Sequence, residues 1–118
     1  MKTMLISLAI LTLVSFTVAD GLTGRWETKP SPKGNVTGAV FKNDNSFEVY
    51  INKKAFASGH YAFKDSILSF TDNGCEGKEG VYKVIFFNNN DSLRFELIAD
   101  SCVERRNGMI RTVLGRVK

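Results

Sequence analysis

Two cysteines and a single histidine are the only thiol and imidazole groups in this sequence. That is too few for a closed zinc site. The lone His60 lies between Gly59 and Tyr61, and a nucleophile relay is defined by geometry rather than by the presence of one imidazole. Neither a phosphate-cradling glycine loop nor a metal-binding helix motif occurs. Asp and Glu are plentiful, yet no pair is marked as acid and base. The sequence therefore points away from an enzyme and implies no cofactor and no metal. Clustered positive charge is also missing. Arg105-Arg106 and Lys53-Lys54 are the basic pairs, whereas a nucleic-acid binder concentrates Lys and Arg along one element. After the first eighteen residues there is no apolar run of the ~20 residues needed to span a bilayer. Past residue 20, no stretch shows sustained helical periodicity.

What is present begins with the N-terminus. Lys2 precedes an apolar run from Met4 to Val18, and Thr17-Val18-Ala19 offers small residues at the positions a signal peptidase reads. This is the layout of a secretory signal peptide over residues 1–19, with the exported chain starting at Asp20. A membrane anchor is the rival, but the run is short and no stop-transfer charges follow it. No Cys near the cut provides for a bacterial lipid anchor. The expected location is secreted or periplasmic, with no membrane span once the leader is removed. Loss of Lys2 leaves fifteen basic against twelve acidic residues, a formal charge of +3. That charge is spread along a mature chain of one small domain, residues 20–118, expected to be a monomer.

Within that domain the pattern is one of short alternating segments separated by turn residues. They run over 22–28, 35–42, 46–51, 54–63, 66–71, 80–88, 92–99 and 109–117. Phe47, Val49 and Ile51 share one face of the third, and Leu93, Phe95 and Leu97 share one face of the seventh. Hairpin-length links between eight strands predict an all-β, antiparallel up-and-down meander. Such a meander can close into a barrel and so remove exposed edges; a two-sheet sandwich is the competing architecture. The links at 29–34, 72–79 and 100–108 are long, while those after strands two, four and six are tight. In a meander alternate links lie at opposite ends. One end is therefore loop-rich and the other closed by tight turns, the short Asn52-Lys53 link being the exception. Cys75 and Cys102 fall in two of the long links, at the same end. An even cysteine count in an exported chain favours a disulfide, and a Cys75–Cys102 bond fits the topology.

Several of these segments also resemble a known family. Leu22-Thr23-Gly24-Arg25-Trp26 carries a Gly-x-Trp on the first strand, similar to the entry motif of lipocalins. Gly59-x-Tyr61, Asp65-Ser66-Ile67-Leu68, Cys75, Gly80-Val81-Tyr82, Asp91 to Phe95 and Asp100-x-Cys102-x-x-Arg105 follow in order. That set resembles small lipocalin-like secreted bacterial proteins over most of residues 22–116. The resemblance implies a calycin-type eight-stranded barrel. It also implies that Trp26, after Gly24, packs across the closed end with an Arg near the end of the last strand, here Arg116, covering it. The meander agrees, because strand one starts and strand eight ends at the tight-turn end. The chain is shorter than full-length lipocalins and lacks their C-terminal helix.

Function is then a choice between two readings. In the first, the barrel binds a small apolar or carboxylate-bearing ligand entering at the loop-rich end. Tyr61, Phe63, Phe70, Tyr82, Phe86 and Phe95 are the inward candidates for its wall. Arg105 is the candidate polar contact, since Arg can clamp a carboxylate with two parallel hydrogen bonds. The alternative for Arg105 is a surface position or an ion pair with Glu104, Asp100 or Glu76. In the second reading the core is filled by side chains, as such a short chain favours. The protein would then be an exported interaction or inhibitor protein that meets a protein partner through its loop-rich end.

Overall fold

A computed structural model describes residues 21–118. The expected leader and the start at Asp20 lie outside the described residues. Eight antiparallel strands close into a barrel in sequence order: β1 (Gly24–Glu27), β2 (Thr37–Phe41), β3 (Ser46–Ile51), β4 (Lys54–Lys64), β5 (Ile67–Asp72), β6 (Gly80–Phe87), β7 (Ser92–Asp100) and β8 (Val113–Arg116). Closure is made by β1 against β8, with Trp26 opposite Arg116 and Glu27 opposite Gly115. The meander is therefore a barrel and not a sandwich.

The turn residues explain the tight end. Asp65 and Ser66 have φ of 53° and 68°, the paired positive values of a two-residue turn whose twist matches its flanking strands. Asn88, Asn89 and Asn90 also take positive φ, between 55° and 64°, a region that Asn tolerates better than most residues. Asn52 and Lys53 make the same kind of turn, φ 51° and 70°, at the opposite end.

The one element that the sequence does not announce is a helix, α1 (Val103–Arg111). Residues 100–108 were expected to be a loop and 109–117 a strand. Instead the helix runs through Met109, and β8 is confined to Val113–Arg116. None of the helix residues is buried, so it carries no apolar stripe for periodicity to detect. Its start is fixed by other means. Cys102 is tied to Cys75 by the disulfide, with Cα atoms 5.8 Å apart. The Cys102 N–H donates to Asp100 Oδ1 at 3.0 Å.

The closed end is packed around Trp26, which is fully buried and donates its indole N–H to the Leu22 carbonyl at 2.9 Å. Arg116 lies over the indole, with its guanidinium carbon 4.3 Å from the ring centroid. Its Nη2 donates to the carbonyls of Gly21 and Asn90, both at 3.0 Å. One side chain thus ties the chain entry and the β6–β7 turn together beneath the barrel.

Candidate functional site

The barrel interior is not filled. A cavity of about 900 Å³ opens at the loop-rich end, which corrects the expectation of a solid core. Its wall is apolar, formed by Phe41, Phe47, Val49, Leu68, Phe70 and Phe95, with Met109 of α1 at the mouth. The space exists for two reasons. Inward positions along its wall carry small residues, among them Ala39 and Ala57. Of the aromatics that might have filled it, Phe87 points outward, and Phe56, 66 % exposed, stands at its edge.

Of the seven residues proposed from sequence for ligand contact, three line the cavity: Phe70, Phe95 and Arg105. Phe63 and Phe86 do not. They pack edge to face at 6.3 Å, and Phe86 lies 6.3 Å from Trp26, so they belong to the plug of the closed end. Tyr61 donates its hydroxyl to the Lys42 carbonyl at 2.7 Å and meets the Phe41 ring edge-on at 5.2 Å, which places it beside the tight β2–β3 turn. Tyr82 is fully buried, stacked on Phe70.

Arg105 is bound within the protein. Its Nε and Nη2 donate to the two oxygens of Asp100, each at 2.9 Å, and Nη2 also donates to the Lys78 carbonyl at 2.9 Å. Nη1 lies 3.4 Å from Asp72 Oδ2 without good hydrogen-bond alignment and is closed off from water. The guanidinium rests 4.9 Å over the Phe70 ring. Asp100 is fully satisfied: Arg105, the Cys102 N–H and the Tyr82 hydroxyl at 2.5 Å all donate to it. Its side chain is wholly buried. Burial alone would push the Asp100 carboxyl up, but hydrogen bonds from Arg105, Tyr82 and the Cys102 N–H hold it down at about 2. Burial, and then the bond to Asp100, push the Tyr82 hydroxyl far above its ordinary value. The hydrogen bond to Asp100 raises Arg105 further, against the opposing effect of burial. Asp100, Tyr82 and Arg105 therefore each keep one protonation state across the neutral range.

The ion pair of Arg105 with Asp100, one of the alternatives read from sequence, is the arrangement found; what strand reading passed over is that Asp72 and Asp100 point inward, for different reasons. Leu68, Phe70 and Asp72 alternate on the inner face of β5, so Asp72 was legible as an inward carboxylate. Asp100 was not. Leu93 and Phe95 face inward, and strict alternation would send residue 100 outward. The pairing of β6 with β7 shifts by one between Val81 and Tyr82: Tyr82 opposes Leu97, but Val81 opposes Ala99. This bulge reverses the phase and brings Asp100 inside, opposite Gly80. It also leaves Leu97 and Ile98 exposed at 44 % and 51 %, so Leu97 does not join the core as its alternation implied.

His60 is exposed. Among the described residues no group of three or more His, Cys, Asp or Glu comes together to hold a metal ion. Comparison with protein-family models and with curated proteins finds no match for the chain.

Proposed function

We propose that the chain is an exported, lipocalin-like binding barrel that holds a small apolar molecule in its interior. The observation that carries this is the cavity, about 900 Å³ with an apolar wall, opening at one end. Small-molecule sites fall in the range of ~300–1,000 Å³ and are largely apolar with few polar groups. Export is supported by the apolar N-terminal run ending at Ala19 and by the Cys75–Cys102 bond, which an oxidising compartment preserves. Entry at the open end is supported by the packing of the other, where Trp26, Phe63, Phe86 and the tight turns lie. A binding role rather than catalysis suits the ion cluster, in which Asp100, Tyr82 and Arg105 keep their charge states near neutral pH.

Thermal-shift and calorimetric titration of the mature chain with a panel of alkanols, terpenoids, fatty acids and aromatic acids tests this. A member that binds at micromolar levels supports the reading. A panel without a single saturable response overturns it and favours the interaction-protein reading, in which exposed Phe56, Ile98, Val103 and Ile110 are contact residues.

A further inference from the structure

The cavity has a charged rim, and the arrangement of that rim bears on which ligand it takes. Five charged side chains line the cavity: Asp72, Glu76, Lys78, Glu104 and Arg105. The buried Asp100 stands directly behind Arg105. Neither cation offers an anion much: Arg105 is already paired inside the protein, and Lys78 stands in open water, where pairing is weak. Arg105 is held between Asp100, at 2.9 Å, and Asp72, at 3.4 Å. Two carboxylates thus surround one guanidinium, and the cluster is net negative. Lys78 is half-exposed, with its Nζ 3.9 Å from Glu76. Glu104 adds a further negative charge on the first turn of α1. The face that Arg105 turns toward the cavity is therefore that of an ion pair already closed, with Asp72 beside it.

We propose that the cavity selects an apolar ligand whose polar end is uncharged, such as an alcohol, ester, ketone or amide, and that Asp72 is the residue that rejects a carboxylate. The inference rests on the binding role proposed above and narrows it. A carboxylate seated at the mouth would exchange its hydration for proximity to Asp72 and Asp100, with only the exposed Lys78, a weak partner in open water, in return. Burying a charge without a partner is costly. An ammonium gains little by comparison: Asp72 already lies against Arg105 and accepts the Gly74 N–H, and Glu76 and Glu104 stand in open water, where pairing is weak. A hydroxyl or carbonyl loses the least on entry.

The test uses one saturated chain with three ends: decanol, decanoate and decylammonium, titrated calorimetrically into the oxidised mature protein at neutral pH. Decanol is expected to bind at least tenfold tighter than decanoate, a difference of about 1.4 kcal/mol, and at least as tightly as decylammonium. In Asp72→Asn, which keeps the oxygen that accepts the Gly74 N–H, the gap between decanol and decanoate should narrow to less than threefold. Decanoate binding as well as decanol, or better, overturns the proposal while leaving the binding barrel intact. Decylammonium binding tenfold tighter than decanol overturns it in favour of a cation site. An unchanged gap in Asp72→Asn removes Asp72 from the role. Binding by none of the three, with the terpenoids and aromatic acids also silent, sinks the binding reading and this inference together. The comparison among ligands is made on the unaltered chain, so it does not depend on the variant folding.

Discussion

At the scale of single residues, Asp100 and Arg105 show how a buried charge is kept. The Asp100 carboxylate accepts from Arg105, Tyr82 and a backbone N–H, so no oxygen is left without a partner. Removing one side of such a pair leaves an isolated buried charge, which typically costs ~3–5 kcal/mol. Arg105→Ala is expected to destabilise the domain by about that amount in urea unfolding, with much of the loss recovered in the double variant Arg105→Ala, Asp100→Ala. A loss no larger than ~1 kcal/mol, as an exposed pair gives, would show that the cluster is hydrated. The same cluster sets the response to acid. The folded Asp100 carboxyl sits at about 2, below the ~3.9 of an unfolded chain. Its stabilisation, about 2–3 kcal/mol, is therefore fully present above pH ~4. It is lost as the pH falls through about 2. Unfolding free energy measured from pH 5 down to pH 2 should decline in wild type and decline less in Asp100→Asn. Parallel curves would contradict the assignment. At the closed end, Trp26→Ala should cost ~3–5 kcal/mol, as truncating a large buried aromatic does. Arg116→Ala should cost less, since a cation over an indole contributes ~0.5–2 kcal/mol. A native Trp26 emission that iodide quenches readily would contradict the burial on which both rest.

Secondary-structure elements show which parts of the fold could be read from sequence. Strands β3, β6 and β7 were legible nearly to their ends because apolar residues alternate there and Asn or Asp turns bound them. The short β1 and β8 were over-extended, since pairing rather than pattern decides where they stop. Two bulges escaped, as they do whenever periodicity is the signal. One turns Asp100 inward in β7. The other, between Val49 and Tyr50 in the pairing of β3 with β4, lies beside the exposed Phe56. Helix α1 escaped because covalent and ionic ties hold it where other helices rely on an apolar face. Two glycines stand where a side chain would meet close neighbours. A Cβ on Gly59 would lie 1.9 Å from the Thr71 carbonyl oxygen, which is backbone and cannot yield. A Cβ on Gly80 would lie 3.0 Å from Asp100 Oδ2 and 3.1 Å from Arg105 Nη2, side-chain atoms that can move a little. Gly59→Ala is thus expected to abolish folding or separate β4 from β5, while Gly80→Ala folds with reduced stability and a disturbed ion cluster. Circular dichroism and thermal melts of the two variants decide this. Equal, mild effects would contradict the close approach at Gly59.

Viewed as a whole molecule, the barrel is bound at both ends by different means. Arg116 ties the closed end through Trp26 and two carbonyls. At the open end the disulfide joins the β5–β6 link to the start of α1, and Arg105 joins α1 to that link through the Lys78 carbonyl and to the end of β7 through Asp100. A cross-link across 27 residues stabilises by about 3.5 kcal/mol in the chain-entropy account, so reduction should lower the melting temperature by more than about 10 °C. A shift of a few degrees would show that the ionic tie alone suffices. The closed meander and the loop-rich end were legible from link lengths. The empty interior was not, because volume depends on which aromatics plug the floor and which point outward, and alternation alone does not separate Phe63 and Phe86 from Phe70 and Phe95.

The central claim is that the cavity, entered at the mouth beside α1, is where this protein binds its ligand. Methyl-resolved NMR of the mature chain during titration with decanol tests it most directly. Saturable shifts are predicted for Val49, Leu68, Met109 and Leu114, which line the cavity, with Leu22 and Val84 in the closed core unmoved. Shifts confined to exposed Leu97, Ile98, Val103 and Ile110, or no saturable shift at all, would contradict it.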